Sequence, residues 1–283
     1  MPPSEPAPEP PPRSQGKMNI AIVGLGSIGT TLVRKFAQGG IPGVNLVAVA
    51  VRDRDKARGV LNDAGVDVPL LEISQLAEIA DLVVECAPAA ALPEIARAVL
   101  GAGKKIMVLS CGALLAHPEL IDLAAQTGGQ IIVPTGALLG LDAVSAAAEG
   151  EIRSVRMITR KPIEGLLGAP YLIENGIDIA GITEPLRVFQ GSARQAAKGF
   201  PANLNVAVAL SLAGIGADET VVEIWADPTV TRNSHKIIVE SDAASFEMSI
   251  ANIPSENPKT GRITALSVIA AIRKLTAPLR VGT

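Results

Sequence analysis

Short apolar runs alternate with helix-like patterns along the first half of the chain. Runs of β-forming residues bounded by turn residues predict strands at 20–23, 44–51, 81–87, 105–109 and 130–133. Between these runs, apolar residues recur at helical spacing, as at 92–100 and 118–127. Alternating strands and helices are typical of βαβ units. This half is therefore predicted to form a parallel sheet whose strands end along one edge.

The pattern changes after about residue 151. Polar and apolar residues alternate in longer runs, which predict strands at 155–159, 220–226, 234–240 and 245–252. Such alternation is typical of a mixed or antiparallel sheet with one face in solvent or lining a cleft. Further helical patterns lie at 192–198, 201–213 and 263–275.

Three glycines follow the first predicted strand with GxGxxG spacing: Gly24, Gly26 and Gly29. In a dinucleotide-binding turn the first glycine allows the tight turn, the second lets a pyrophosphate approach, and the third allows the helix to pack on the strand. The helix is predicted to begin near Ser27, so its positive N-terminus would face the phosphates. Ser27 and Ile28 therefore join the glycines as expected cofactor contacts.

The fold class follows from these patterns. We predict an α/β protein with a Rossmann-type parallel-sheet dinucleotide-binding domain and an α+β catalytic domain with a mixed or antiparallel sheet. The predicted division is a disordered Pro-rich tail at 1–16, a nucleotide domain at 17–134, a catalytic domain at 135–261 and a C-terminal helix at 262–283 that packs back on the first domain. The cleft between the domains is the expected site.

The end of the second strand bears on the choice of cofactor. An acidic residue usually stands there in NAD sites, but this chain has Val51, followed by Arg52 and Asp53. Because a guanidinium pairs with a 2′-phosphate, NADP is expected to be accepted. The acidic Asp53 leaves NAD as the alternative cofactor. Alternatively, Arg52 and Arg54 are ordinary solvated loop charges. Small residues after a later strand, Cys86 and Ala87, offer a place for a flat ring.

Composition favours small-molecule partners. Lys plus Arg number 25 and Asp plus Glu 28, so no basic field indicates nucleic acid or an anionic membrane. No apolar run approaches the roughly 20 residues that span a bilayer. The two cysteines, Cys86 and Cys111, indicate neither a disulfide framework nor a metal site, and no metal is expected. A reducing, cytoplasmic location is the default.

The chain has two histidines with different contexts. His117 precedes a proline at a predicted helix start, where a capping or surface role is expected. His235 opens a strand of the second domain, which must supply the substrate's acid and base if the first domain holds the cofactor. An imidazole near its ordinary pKa exchanges a proton at neutral pH, so His235 is the candidate general acid–base, and a buried structural histidine is the alternative. Asn203 and Asn205, at the start of a long apolar helix, either cap it or bind the nicotinamide carboxamide.

Several long motifs in the second half carry a resemblance. They are PTGALLGLDAVSAA (134–147), TRKP (159–162), VFQGSARQAAKGFPANLNVAVALSLAG (188–214), ADPTVTRNSHKI (226–237) and NIPSENPKTGRITALSVIAAIRKL (252–275). Together they resemble the L-aspartate dehydrogenase family from about Met18 to the end. The resemblance implies reversible NAD(P)-dependent oxidation of L-aspartate, through iminoaspartate, to oxaloacetate and ammonia. In some settings the imine would feed NAD synthesis.

The resemblance also assigns residues. The family's catalytic histidine lies in an RNxH motif, which here ends at His235, and its cofactor contacts match Gly136, Ala137 and Asn205. A dicarboxylate needs cationic anchors. The candidates are Arg160, Lys161, Lys198 and Arg232, each of which could equally be a surface charge, together with Asn233 inside the RNxH motif. A homo-oligomer, a dimer in the simplest case, is expected through the alternating sheet.

Two alternatives stay open at this point. A related dehydrogenase or reductase would act on another amino or keto acid, as homoserine dehydrogenase and dihydrodipicolinate reductase relatives do, because fold analogy does not fix the substrate. A non-catalytic NADP-sensing protein would bind the nucleotide tightly, without turnover.

Overall fold

The computed structural model describes residues 16–201, 204–255 and 261–283. The predicted Pro-rich tail, apart from its last residue, and Asn203 lie outside these ranges. The first half is a parallel sheet built from β1 (Met18–Val23), β2 (Val44–Ala50), β3 (Leu82–Glu85), β4 (Lys105–Val108) and β5 (Gln130–Ile132). Its order, β2-β1-β3-β4-β5, places the carboxyl ends of all five strands along one edge.

Helices cover both faces of this sheet. They are α1 (Ser27–Ala37), α2 (Arg54–Ala64), α3 (Ile73–Ile79), α4 (Leu92–Gly101) and α5 (Glu119–Thr127). Successive residues of β1 alternate between two apolar clusters: Ala21 packs with α3, α4 and α5, whereas Ile20 packs with α1 and α2. The two-sided burial explains why these strands read as continuous apolar runs.

The second half contains a mixed five-stranded sheet. Its elements are α6 (Leu141–Ala148), β6 (Ile152–Lys161), α7 (Pro170–Glu174), β7 (Leu186–Ser192), α8 (Ala193–Gly199), α9 (Asn205–Ala213), β8 (Val221–Ala226), β9 (Ser234–Ser241), β10 (Ser245–Ala251) and α10 (Arg262–Thr276). The strand order is β10-β9-β6-β8-β7, with β6 and β8 parallel and the other pairs antiparallel. The predicted fold class is confirmed.

The sequence pattern did not predict β7. Its register against β8 shifts between Arg187 and Phe189, which breaks the alternation of polar and apolar positions. The helices α2, α3, α6 and α7 were also not predicted. These helices are short, and α2 has few apolar residues, so their periodic signal is weak.

The second sheet has one covered face. Its inner face carries Val155, Met157, Ile237 and Val239, which are all buried and share an apolar cluster with α9. The same cluster continues into the first sheet through β1, β3 and β4. The C-terminal helix α10 packs instead on the opposite side of the first sheet, where Val268 joins the cluster of α1.

The glycine turn between β1 and α1 depends on missing side chains. Gly24 has φ +93°, and a Cβ on it would lie 2.7 Å from the carbonyl oxygen of Cys86. A Cβ on Gly29 would lie 2.1 Å from the carbonyl oxygen of Gly24. At Gly26, by contrast, a Cβ would meet nothing within 4 Å. Two glycines therefore serve the packing of the turn, and the middle one faces open space.

Alanine substitutions at these positions are expected to differ in stability. Gly29→Ala forces the turn apart, and such overpacking should lower the free energy of unfolding by about 1–3 kcal/mol. The melting temperature should therefore fall by several degrees. Gly26→Ala, in the same turn, should leave the melting temperature nearly unchanged because its φ of −72° suits alanine. Thermal unfolding without ligand measures both. Equal melting temperatures for the two variants would contradict the assigned roles.

Candidate active site

A cavity of about 430 Å³ opens at the carboxyl edge of the first sheet. Its walls come from the loops after β3, β4 and β5, from α9 and from the start of α10. Six residues named above as cofactor contacts line it: Ile28, Cys86, Ala87, Gly136, Ala137 and Asn205. Gly24, Gly26, Ser27 and Gly29 form the turn that leads into this wall.

The N-terminus of α1 suits an anion. Its N-cap, Gly26, is exposed, and no side chain in the described part of the chain caps the helix. The first backbone N–H groups of a helix have no partner within it, and the helix dipole is positive there. With open space where a Cβ would stand at Gly26, the turn has the shape and charge that a pyrophosphate needs.

A surface depression follows β2, where the ribose end of a dinucleotide is expected. It is lined by Arg52, Asp53, Arg54, Asp55 and Arg58. Asp53 caps α2 by accepting from the backbone N–H of Lys56 at 3.0 Å. Arg54 donates to Glu72 at 2.9 Å and is thereby held against the neighbouring loop. Arg52 is exposed in this depression.

Glu85 is a buried carboxylate that sequence reasoning missed. Its oxygens accept from the backbone N–H groups of Ala87 (2.9 Å), Leu109 (3.1 Å) and Ser110 (2.9 Å), and from the Ser110 hydroxyl (3.1 Å). Burial raises the pKa of the carboxyl group, and these hydrogen bonds oppose that rise. Glu85 thus ties together the two loops that flank the cavity. The available signal was an acidic residue at the end of an otherwise apolar strand.

Asn205 links α9 to one of these loops. Its Oδ1 accepts from the backbone N–H of Gly112 at 2.9 Å, while its backbone carbonyl accepts from the Cys111 thiol at 3.1 Å. With Oδ1 occupied, the amide Nδ2 is the group left to donate to a ligand. Burial raises the pKa of the Cys86 thiol, and it raises that of Cys111 to about 12, so both remain neutral packing groups.

A group of polar side chains lies at one end of the inner face of the second sheet. In the β6–β9 register Thr159 lies opposite His235, and Lys161 continues the same face of β6 two residues further on. Asn233 precedes β9, and its carbonyl accepts from the backbone N–H of Asn252 at 2.8 Å. The structure therefore brings together His235, Lys161 and Asn233, and it adds Thr159 and Asn252, which the sequence analysis did not single out.

This polar end adjoins the cavity. The Asn252 side chain donates to the carbonyl of Ala137 at 2.9 Å, and it lies against Gly261. Both Ala137 and Gly261 line the cavity. His235 itself is 4% exposed and is not part of the cavity wall. It lies on β9, two residues after Asn233, whose carbonyl pairs with the backbone N–H of Asn252.

The titration of His235 differs from the expectation of an ordinary imidazole. Burial lowers its pKa to about 3, and the positive charge of Lys161 adds to the effect. Burial likewise lowers the pKa of Lys161 to about 8. The imidazole of the ligand-free protein is therefore neutral throughout the physiological range.

The remaining cationic candidates lie elsewhere. Because successive strand residues point to opposite faces, Arg160 is on the outer face of the sheet, where it pairs with Asp227 at 2.9 Å and lies over the Trp225 ring. Lys198, on α8, and Arg232, between β8 and β9, are exposed. None of these three shares the inner face with His235.

The other histidine is at the surface. Nδ1 of His117 lies 3.1 Å from a carboxylate oxygen of Glu119, at the start of α5. Within the described ranges, no group of three or more His, Cys, Asp or Glu residues is arranged to hold a metal ion. No described helix is long and apolar enough to cross a membrane.

The buried imidazole predicts how stability depends on pH. The folded-state pKa of about 3 lies below the unfolded value of about 6.5, so between these values only the unfolded chain binds the proton. Stability should therefore fall as the pH drops from 6.5 towards 3, with this group contributing about 1.4 kcal/mol per pH unit. Denaturant unfolding of His235→Asn should show a shallower dependence than that of His117→Asn. Parallel curves would contradict the burial of a neutral ring.

Comparison with known proteins agrees with this architecture. Residues 24–134 match the family model described as homoserine dehydrogenase, NAD binding domain, and residues 142–275 match aspartate dehydrogenase, C-terminal. A nicotinamide dinucleotide is therefore the cofactor of the first domain. The crystal structure of aspartate dehydrogenase from Thermotoga maritima superposes with a TM-score of 0.72 at 26% identity, over 94% of this chain and 99% of that one.

Curated relatives are closer still. L-aspartate dehydrogenase 3 of Bordetella bronchiseptica is 58% identical over 95% of this chain and 99% of its own length. L-aspartate dehydrogenase of Bradyrhizobium diazoefficiens is 59% identical over 95% of this chain and 96% of its own. Identity of this degree over nearly the full length confirms the resemblance found in the motifs, and the protein belongs to the L-aspartate dehydrogenase family.

Proposed function

We propose that the protein catalyses the reversible NAD(P)-dependent oxidation of L-aspartate, through iminoaspartate, to oxaloacetate and ammonia. Its nearly full-length relatives carry the name of this activity. The observation that carries the proposal is the neutral, buried His235 beside the cationic Lys161, next to a cavity bordered by a dinucleotide turn. That combination provides a base, a carboxylate anchor and a place for the cofactor.

The pyrophosphate and the nicotinamide ring of the cofactor are bound by different parts of the chain. The turn at Gly26 and the N-terminus of α1 receive the pyrophosphate. Ala87, Ala137 and Asn205 line the cavity and would hold the nicotinamide ring, with the Asn205 amide as the donor available to its carboxamide. When bound, NAD(P)⁺ supplies the hydride acceptor for the reaction.

His235 moves the proton. Hydride can leave Cα of aspartate only when the amine is neutral, so a base must first take a proton from the ammonium group. Since Nδ1 of His235 is fully enclosed, Nε2 is the atom that accepts this proton. Loss of the hydride from Cα then gives the C=N bond of an iminium ion, and the imidazolium releases its proton to solvent. The neutral imidazole next accepts a proton from the water that adds to the imine carbon and returns it to the nitrogen, which leaves as ammonia while the new hydroxyl loses its proton to become the carbonyl of oxaloacetate.

Lys161 anchors a substrate carboxylate and thereby couples substrate binding to the strength of the base. In the ligand-free protein its charge helps to hold the pKa of His235 low. A bound carboxylate neutralises that charge, so the pKa of His235 rises when substrate is present. Asn233, next to Lys161 on this face, supplies a further hydrogen bond to the substrate.

Replacement of the base tests this assignment. His235→Asn should lower kcat by about 10²–10⁴-fold, the contribution of general acid–base catalysis, while nucleotide affinity is unchanged. The measurement is the formation of reduced nucleotide from L-aspartate and its consumption with oxaloacetate and ammonia, with His117→Asn as the control. Assays with other amino acids as substrates test the alternative that the enzyme is a related dehydrogenase with a different substrate. Tight nucleotide binding without any turnover would instead favour a sensor.

Acceptance of NADP rests on Arg52. Its neighbours Asp53 and Arg54 are engaged in local hydrogen bonds, whereas Arg52 is exposed at the depression where a 2′-phosphate would lie. NAD remains usable because the adenosine ribose needs no cation.

A charge-removing substitution separates the two nucleotides. Arg52→Gln should raise KM for NADP about tenfold, which corresponds to losing one charge-assisted hydrogen bond, and leave KM for NAD within about twofold. Arg97→Gln, on α4 and paired with Glu119, is the control. If KM for both nucleotides changes equally, Arg52 does not contact a 2′-phosphate.

The outer face of the second sheet is the proposed homodimer interface. It presents the half-buried side chains of Ile158, Trp225 and Ile238, and no described helix is part of it. Association would bury these apolar groups, and sedimentation equilibrium measures the resulting mass. The cytoplasmic location inferred from cysteine usage stays a prediction.

A further inference from the structure

Three enclosed polar atoms at one end of the second sheet have no hydrogen-bond partner. Among the described residues they are Thr159 Oγ1, His235 Nδ1 and Asn252 Oδ1. Leaving such an atom unpaired in the protein interior lowers the stability of the folded state. Their concentration beside the proposed base indicates that polarity is kept here for function and not for stability.

Two of these atoms belong to residues that are paired across strands. The antiparallel register of β6 and β9 pairs Thr159 directly with His235, and directly opposed residues lie on the same face with Cβ atoms about 4.5–5.5 Å apart. Thr159 is 0% exposed and His235 4% exposed, so bulk water does not reach either side chain freely.

The other cross-strand neighbours of this pair are apolar. Ile224 of β8 lies opposite Thr159, and Ile250 of β10 lies opposite His235. Lys161, two residues beyond Thr159, has an ammonium group that only donates hydrogen bonds, so it cannot accept one from an imidazole N–H. The Thr159 hydroxyl is thus the cross-strand acceptor placed opposite Nδ1.

We propose that Thr159 is the positioning residue for His235. Its hydroxyl oxygen accepts a hydrogen bond from Nδ1–H. This bond fixes the proton on Nδ1, fixes the plane of the ring, and leaves the lone pair of Nε2 directed at the substrate amine. The catalytic consequence rests on the proposed function, but the tautomer itself is a property of the free protein.

Substitution by valine separates positioning from packing. Valine has the shape of threonine and suits a buried strand, so Thr159→Val should keep the packing and lower the melting temperature by no more than the loss of one hydrogen bond does. We expect kcat to fall at least tenfold, with KM for L-aspartate and nucleotide affinity within about twofold, because a misoriented base affects the chemical step. Thr159→Ser, which keeps the hydroxyl, should restore most of kcat.

The tautomer is measured directly by NMR of protein labelled with [¹⁵N]histidine. The chain has only two histidines, and His117→Asn leaves His235 as the one signal. In that background the ring should be the neutral Nδ1–H tautomer near neutral pH, and Thr159→Val should shift it towards Nε2–H. No substrate is needed, so this result does not depend on which reaction the enzyme catalyses.

Several outcomes would overturn the proposal. An Nε2–H tautomer in the parent, or a tautomer unchanged by Thr159→Val, would show that the hydroxyl does not accept from Nδ1. A rise in KM for L-aspartate at constant kcat would show that the hydroxyl binds substrate. A valine variant destabilised by more than the loss of one hydrogen bond, with a serine variant equally impaired, would show a packing role. Loss of the proposed activity in the parent would leave the NMR test valid.

Discussion

The apolar contact between α9 and the two sheets determines the geometry of the whole site. Residues 206–211 of this helix are all buried, which explains why its sequence is apolar on every side. One continuous cluster runs from the first sheet through α9 to the inner face of the second sheet. Because a close-packed core does not deform continuously, it fixes the distance between the glycine turn and the His235 end of the second sheet.

Burial then sets the chemistry at that end. Taking His235 and Lys161 out of water lowers the pKa of both, and their proximity adds a repulsive contribution to that of the histidine. The protein thereby holds a neutral base and a cation in contact with an apolar core, an arrangement that costs stability. In the proposed mechanism a bound dicarboxylate relieves this cost, so that substrate binding and the basicity of His235 are coupled.

The shape of the cavity at the first sheet is set mainly by backbone groups. Glu85 gathers three N–H groups from two loops, and Asn205 ties α9 to the second of them. At the glycine turn, Gly24 and Gly29 permit close approach of the backbone, and Gly26 leaves room for a ligand. Such contacts set the shape of the cavity and leave its surface composed largely of small residues.

The architecture, the nucleotide turn and the family could all be predicted from the amino-acid sequence. The first two are local or periodic properties: alternation in β9 and β10, apolar runs in the first sheet, and glycine spacing after β1. It also identified His235 and Lys161 as candidates through the motifs. The edge strand β7 was not predicted, because its register shift interrupts the alternation of polar and apolar residues.

Which polar side chains lie next to one another depends on the three-dimensional packing of the chain. Arg160 and Lys161 are adjacent in sequence and look equivalent, but strand geometry sends one to the outer face and the other to His235. Thr159 becomes the neighbour of His235 through the pairing of strands distant in sequence. The lowered pKa of His235 likewise depends on burial and on the approach of Lys161. These are properties of long-range packing, which no local pattern of residues encodes.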